Sequence, residues 1–259
     1  MTGYKTALAD YIDRDHLFGR HGITGLDWHA RQLLAGVDLT DGNALEVGAG
    51  RGLLSLWMLS SGARSVVSLE PEADGSTAGV RDALERHRRA LGVSADRWQV
   101  EAETFQSYRA DRVFRVILLQ NSINHLDEDA CVDLLEDPTS RRRYHALFEK
   151  MASMLEPGGH IVLADCARVN RLAWLGRHSP LNPTIEWHKH HEPETWIAVL
   201  REAGLGRVAH VWWHPYYRTR KLAPLINRRA VARWLSSYFV VHARKALTGA
   251  ATASTAAGS

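Results

Sequence analysis

Short apolar runs alternate along this chain with longer stretches whose apolar residues recur every three or four positions, and that change of period predicts the elements. Ala44, Leu45 and Val47 read as a first strand that stops at a glycine turn, Gly48-Ala49-Gly50-Arg51-Gly52. Leu53, Leu54, Leu56, Trp57 and Leu59 then carry a helix that Gly62 closes, and Ser65–Leu69 reads as a second strand ending on Glu70. Val80, Leu84, His87 and Leu91 predict an amphipathic helix ended by Gly92, and residues 98–100 a third strand. Residues 113–119 are almost continuously apolar and branched, as in a strand buried on both faces. Residues 127–140 read as an insertion with a short apolar-acidic helix and a Pro-Thr-Ser turn. Tyr144, Leu147, Phe148, Met151 and Leu155 form the stripe of a strong helix that Pro157-Gly158-Gly159 breaks, ahead of a fifth strand at residues 161–165. A helix from residue 192 to 204, with Pro193 in its first turn, and strands at residues 208–213 and 237–243 complete an α/β series.

Residues 1–40 precede the first strand and are expected to form an N-terminal helical cap, with Tyr4, Leu8, Tyr11 and Ile12 at helical spacing and a second helical stretch over residues 28–34. Between them lies Phe18-Gly19-Arg20-His21-Gly22. A cap used as a lid would exclude water and bring His16, Arg20 or His21 to a substrate; each of these residues taken singly also reads as surface. Residues 41–246 form the expected main domain, and residues 247–259 a small-residue tail expected to be disordered.

In an open α/β sheet the carboxyl ends of adjacent strands border the ligand crevice, so the glycine turn and Glu70 face one site. An acid ending the second strand can accept both hydroxyls of a ribose. The spacing is G-x-G-x-G with Glu46 two residues before it, whereas dinucleotide sites favour G-x-G-x-x-G. A carboxylate beside the loop repels a pyrophosphate and suits a ligand carrying a cationic amine. On these residues the chain resembles the class I S-adenosylmethionine-dependent methyltransferases, whose first motif is acid-x-G-x-G-x-G. The Leu-x-Pro-Gly-Gly join at residues 155–159 is a second resemblance to that family.

The resemblance covers about residues 40–245 and implies a Rossmann-like, seven-stranded, mostly parallel sheet with helices on both faces and strand seven antiparallel. It implies S-adenosyl-L-methionine as cofactor, with Glu46, Gly48, Gly50 and Gly52 at its methionine and ribose parts and Glu70 with Pro71 at the ribose. The run Glu101-Ala102-Glu103 resembles the family's adenine-side segment, so Glu101 and Ala102 are expected at the adenine edge. Gln120 and Asn121 stand where the family brings substrate and sulfonium together. The same position argues against nucleic-acid amino methylation, because Asn121-Ser122-Ile123-Asn124 replaces the Asp/Asn-Pro-Pro-aromatic loop, and no Pro-Cys pair is present to attack cytosine.

Methyl transfer needs alignment and, for a hydroxyl, a base. His125, just beyond strand four, is the first candidate, followed by His188 and His191 in the loop after strand five. His188, His190 and His191 with Glu186 or Asp165 also raise a metal site. The family's magnesium-dependent members, however, place carboxylates at the ends of strands four and five, and Gln120-Asn121 stands at the first of these, so no metal is expected. Trp174, Trp187, Trp212, Trp213, Tyr216 and Tyr217 are expected around the acceptor, where they can stack on a ring or a sugar face.

Composition narrows the class. The 259 residues suffice for one well-buried α/β domain, and 32 basic against 29 acidic residues leave a net charge of only +3. Basic clusters at residues 86–89, 141–143 and 228–233 read as solvated faces, so a nucleic-acid partner is not expected. Two cysteines without metal-type spacing favour a reducing compartment, and no apolar run reaches the ~20 residues of a membrane span, so a soluble, cytoplasmic protein is expected. The expected activity is methylation of a small-molecule acceptor, such as a sugar, glycoside or phenolic natural product, on a hydroxyl ahead of an amine. Two alternatives stay open: a regulator or cyclase-like protein that binds S-adenosylmethionine without transfer, and an RNA or protein methylase. The apolar C-terminal part can serve a homodimer interface.

Overall fold

In the computed structural model, residues 2–72, 79–177 and 185–247 are described. Two helices, α1 (Thr2–Arg14) and α2 (Gly22–Leu33), precede β1 (Asn43–Val47). The chain continues through α3 (Leu53–Ser60), β2 (Ser65–Leu69), α4 (Val80–Ala90), β3 (Trp98–Glu101) and β4 (Phe114–Gln120). Next come α5 (Glu128–Val132), α6 (Pro138–Met154), β5 (Leu155–Cys166), α7 (Arg171–Trp174) and α8 (Pro193–Glu202). The C-terminal part holds β6 (Arg207–Trp212), α9 (Ala223–Ile226), α10 (Arg229–Leu235) and β7 (Tyr238–Arg244). The tail, residues 248–259, lies outside the described residues, as does the stretch of the irregular segment after β5 that contains Pro180 and Pro183.

The strands form one seven-stranded sheet in the order β3-β2-β1-β4-β5-β7-β6. The pairs from β3 to β5 are parallel, and β7 runs antiparallel to both β5 and β6. This is the expected seven-stranded architecture. The order reverses between β1 and β4, and a crevice opens there above the carboxyl ends of the strands. Side chains alternate across the sheet, so Leu45, Val67, Ile117 and Leu163 pack toward α6 and α8 with Tyr144, Phe148 and Trp196. Ala44, Val66, Val116 and Val162 face the opposite way, toward Leu8, Ile12, Leu26, Leu56 and Leu84 of the first four helices. Helices therefore cover both faces, which is why the central strands carry apolar residues throughout. Among the described residues no helix is long and apolar enough to cross a membrane.

Two elements differ from their sequence expectation. The sixth helix ends at Met154 rather than at Pro157, because Leu155 is already extended (φ −80°, ψ 142°) and pairs with Phe114. Pro157-Gly158-Gly159 thus lies inside β5, where the register against β4 shifts and Gly158 takes φ +78°. Hydrogen bonds from Arg244 Nε to the Gly158 carbonyl (3.0 Å) and from the Lys245 amide to the Gly159 carbonyl (2.9 Å) tie this irregular stretch to β7. Residues 138–140, expected as a turn, are instead the first turn of α6. The Asp137 carboxylate accepts from the amides of Thr139 (3.0 Å) and Ser140 (2.9 Å), and Pro138 occupies a position whose missing N–H costs nothing.

His242 on β7 is largely buried, and desolvation, with His160 adding to it, pushes its imidazole from 6.5 down to about 4. The ring is neutral in both folded and unfolded chain above pH 6.5. Below that pH the unfolded chain gains the proton first, so stability is lost as pH falls from about 6.5 to about 4, by on the order of 3 kcal/mol. Denaturant midpoints measured from pH 7 to pH 4.5 are expected to fall, and to fall less in His242→Gln. An equal fall in both proteins contradicts the assignment.

Candidate active site

The site begins where β1 ends. The amides of Gly48 and Ala49 donate to the Leu69 carbonyl at 2.9 and 3.2 Å, so the turn stays tied to the end of β2. Gly48 has φ +72°, and a Cβ there would stand 2.6 Å from Ser122 Cβ; glycine is what lets the loop after β4 come this close. Ser122 Oγ donates to the Val47 carbonyl (2.7 Å) and locks the two loops together. The Gly50 amide donates to Glu70 Oε2 at 2.7 Å. Glu70 is buried, and its own amide donates to the Glu101 carbonyl (2.9 Å), joining the ends of β2 and β3.

Above these groups lies a cavity of about 410 Å³, within the size range of small-molecule sites. Gly48, Gly50, Glu70, Pro71, Asn121 and His125 are brought together on its wall. Arg51, Val80 and Ser122 also line it, as do Glu103, Thr104, Phe105, Gln106 and Leu126. Sequence reasoning stopped at Glu101-Ala102 on this side. Glu101 is the last residue of β3, and the chain presents the next residues, from Glu103 on, to the cavity. Glu101 and Ala102 themselves are not on the wall.

Glu46 and Gly52 lie beneath the loop. Gly52 is a packing residue, since a Cβ there would meet Leu84 Cδ2 at 2.1 Å and Trp98 Cζ2 at 2.6 Å. Trp98 Nε1 donates to Ser68 Oγ (2.8 Å), the Ser68 and Ser55 hydroxyls are 2.6 Å apart, and Ser55 Oγ donates to Glu46 Oε2. This chain of donors ends on a carboxyl that burial pushes up to about 8, against the hydrogen bonding from Ser55. Burial thus favours the uncharged acid at neutral pH, and Glu46 lies off the cavity wall, whereas its sequence position suggested a carboxylate facing a cationic amine. The carboxylates on the wall itself are Glu70 and Glu103.

A second cavity, of about 640 Å³, adjoins the first through Asn121, which lines both. Asn121 follows β4 with φ +52°, its amide donating to the Ala164 carbonyl at 2.8 Å. Gln120 lines this second cavity rather than the first. Phe18, Arg20 and His21 reach it from the segment before α2, His29 from α2, Trp213, Tyr216, Tyr217 and Arg218 from the segment after β6, and Tyr238 from β7. Arg20 and His21 are thus where a cap over the substrate would put them, whereas His16 is on neither wall. Among the other aromatic candidates, Trp212 is buried in the core, Trp174 is 84% exposed, and Trp187 sits half-buried on a short turn away from both cavities.

The candidate histidines separate clearly. His125 Nδ1 lies 2.6 Å from Glu128 Oε1, with Lys189 Nζ on the other carboxylate oxygen at 3.1 Å. His188 is exposed and on neither wall. His191 is fully buried, donates from Nε2 to the Cys131 carbonyl and packs edge-on to Trp196 at 5.6 Å. That packing removes it from the groups that can reach an acceptor. His190 Nδ1 meets the buried Asp165 at 3.0 Å, and among the described residues no three His, Cys, Asp or Glu side chains converge as metal ligands. His29 was not singled out from the sequence, where one histidine on a helix reads as packing. It is 7% exposed, and burial lowers its pKa, leaving a neutral imidazole on the second cavity's wall.

The sequence matches the family described as "Methyltransferase domain" over residues 20–238. No curated protein matches it. Among solved structures, it is similar to a candidate sarcosine dimethylglycine methyltransferase from Galdieria sulphuraria, at 17% identity over 86% of each chain and a TM-score of 0.55. An S-adenosylmethionine-dependent methyltransferase from Mesorhizobium loti is similar over 85% of this chain and 100% of its own, at 15% identity and a TM-score of 0.54. A candidate O-methyltransferase from Nostoc punctiforme matches at 14% identity and a TM-score of 0.53, with 86% of this chain covering 56% of that one.

Two substitutions separate the carboxylates. Glu70→Ala is expected to weaken S-adenosylhomocysteine binding by roughly 10–100-fold, the loss of one or two hydrogen bonds to a charged group. Glu46→Gln is expected to change that affinity by less than about threefold and to raise the melting temperature at pH 8, because the amide needs no buried proton. Calorimetric titration and thermal melts check both, and equal losses of affinity in the two variants contradict the division.

Proposed function

Because the chain belongs to the methyltransferase-domain family, with S-adenosyl-L-methionine as cofactor, we propose that it methylates a hydroxyl of a small molecule held in the second cavity. The observation that carries this reading is Asn121, the residue common to the cavity beside the glycine turn and the cavity beneath the cap. The first cavity fits the cofactor. It offers the buried Glu70 carboxylate for ribose hydroxyls, no requirement for phosphate, and acids rather than a basic cluster opposite a cation. The second fits an acceptor by its aromatic and hydrogen-bonding wall, suited to a phenolic ring or a sugar face of the kind found in natural products.

When bound, S-adenosylmethionine supplies an electrophilic methyl carbon whose bond to sulfur breaks as the acceptor's O–CH₃ bond forms. The protein's part is alignment, exclusion of water and removal of the hydroxyl proton. Asn121, held by its backbone at the border, positions the acceptor oxygen against the first cavity. Phe105 and Leu126 on the cofactor side, and Tyr216, Tyr217 and Trp213 on the acceptor side, keep water from the crossing point. His125 takes the proton. The hydrogen bond from His125, and then that from Lys189, hold Glu128 below its ordinary range, so its carboxylate is ionised at neutral pH. An ionised carboxylate accepts a hydrogen bond from Nδ1–H, which keeps the ring's proton on that nitrogen and leaves Nε2 with a free lone pair, the orientation a base requires.

A second assignment of the base is favoured by one observation. His29 lies on the acceptor cavity itself and is neutral through burial. An amine in place of the hydroxyl is the runner-up acceptor, and the two free, buried cysteines, Cys131 and Cys166, fit a reducing compartment.

With an acceptor found by screening for S-adenosylhomocysteine release, His125→Ala is expected to lower kcat about 10²–10⁴-fold while S-adenosylhomocysteine still binds. Full activity in His125→Ala together with that loss in His29→Gln transfers the proton to His29. Cofactor binding without release of S-adenosylhomocysteine across phenols, sugars and amines contradicts methyl transfer to a small molecule.

A further inference from the structure

The two adjoining cavities carry opposite charge. Glu70 and Glu103 outnumber Arg51 on the first wall, while no Asp or Glu lines the second, where Arg20, Arg218 and three aromatic hydroxyl-bearing side chains stand instead. Arg20 and Arg218 make no ion pair with any described residue, although Arg31, Arg88, Arg115 and Arg141 all do. A third guanidinium, that of Arg220, covers the Tyr217 ring at 4.1 Å and adds to the same positive field. Solvated arginines alone would carry no weight. These two, both exposed, stand on turns that line one cavity, one before α2 and one after β6, and no Asp or Glu shares that wall.

Rings make up much of this cavity's wall, in two groups. His21 lies 5.1 Å and Trp28 6.0 Å from Tyr217. His29 lies 4.9 Å from Trp213, which is 6.0 Å from Tyr238, and Tyr238 is 6.4 Å from Tyr216. Such a wall favours a flat, rigid ligand over a flexible aliphatic one, because ring faces and edges supply contact without ordering many torsions. A guanidinium on a cavity wall, even an exposed one, binds a carboxylate or phosphate oxygen pair through parallel N–H donors. Asn121 lines this cavity and the first one alike.

We infer that the methyl acceptor is an anionic aromatic: a planar ring that presents its hydroxyl to Asn121 and a carboxylate or phosphate group to Arg20 and Arg218. The inference rests on the second cavity's being the acceptor site and adds the class of molecule it selects. The ring lies against Tyr216, Tyr217 and Trp213, and the distance between its hydroxyl and its anion sets which isomer is methylated. Uncharged phenols and neutral sugars fill the aromatic wall but leave the two guanidinium groups without a partner.

The test uses the full chain saturated with S-adenosylhomocysteine and titrated calorimetrically with hydroxybenzoates, hydroxycinnamates and hydroxyphenyl phosphates, alongside the corresponding primary amides and the unphosphorylated phenols. At least one acid is expected to bind about tenfold or more tightly than its uncharged partner. Arg20→Gln combined with Arg218→Gln is expected to bring that acid down to the level of its partner while S-adenosylhomocysteine affinity stays as in the wild type. Arg20→Lys with Arg218→Lys is expected to restore part of the preference, which a merely misfolded variant would not. Uncharged partners binding as tightly as the acids, acids unaffected by the double Gln variant, or a cofactor-saturated chain that binds none of the acids each overturn the inference. Failure of the wild type to bind S-adenosylhomocysteine instead strikes the methyltransferase reading beneath it.

Discussion

Glu70 ends β2 with a buried carboxylate whose Oε2 accepts the Gly50 amide at 2.7 Å, and the arrangement of the site depends on that contact. It fixes the middle of the glycine turn against the next strand. The turn in turn lies against Ser122 through Gly48, and Ser122 is bonded back to β1. One acid thus registers three loops, those after β1, β2 and β4, around a single space. A buried carboxylate is costly unless hydrogen-bonded, and here its partner is a backbone amide. Its place on the crevice wall is what suits it to hydroxyl donors.

The neighbouring acid shows how local chemistry divides two residues of the same type. Glu46 sits one layer lower, at the end of a chain of hydrogen bonds running from Trp98 through Ser68 and Ser55. It holds α3 and β3 against β1 as an uncharged group. The motif as written contains both acids. Only their depth in the fold separates the one on the cavity wall from the one that supports the loop.

The β1-turn-α3-β2 unit was legible in the sequence because its signals are local: a period change at Gly48, a helix at Leu53, an acid at the end of a branched strand. The same holds for the buried run of β4, whereas the antiparallel sense of β7 followed only from the family resemblance. The register of Pro157-Gly158-Gly159 was not legible, because pairing with Phe114 and with β7 decides where a strand begins, and both partners are distant in sequence. The histidines could not be ranked for a similar reason. His191 is enclosed by Trp196 and Cys131, and His29 comes to the second cavity only through the packing of α2 on the segment after β6. The wall of the second cavity is assembled from residues 18–21, 29, 120–121, 213, 215–219 and 238, which no single window of sequence brings together.

Two cavities that share one asparagine are the basis of the transfer site proposed above. A crystal structure of the chain with S-adenosylhomocysteine tests this most directly. The ribose hydroxyls are expected on Glu70, the adenine beside residues 103–106, and the thioether sulfur next to Asn121 with its open side toward the second cavity. A ligand lodged in the second cavity, or a sulfur turned away from Asn121, contradicts transfer across that border.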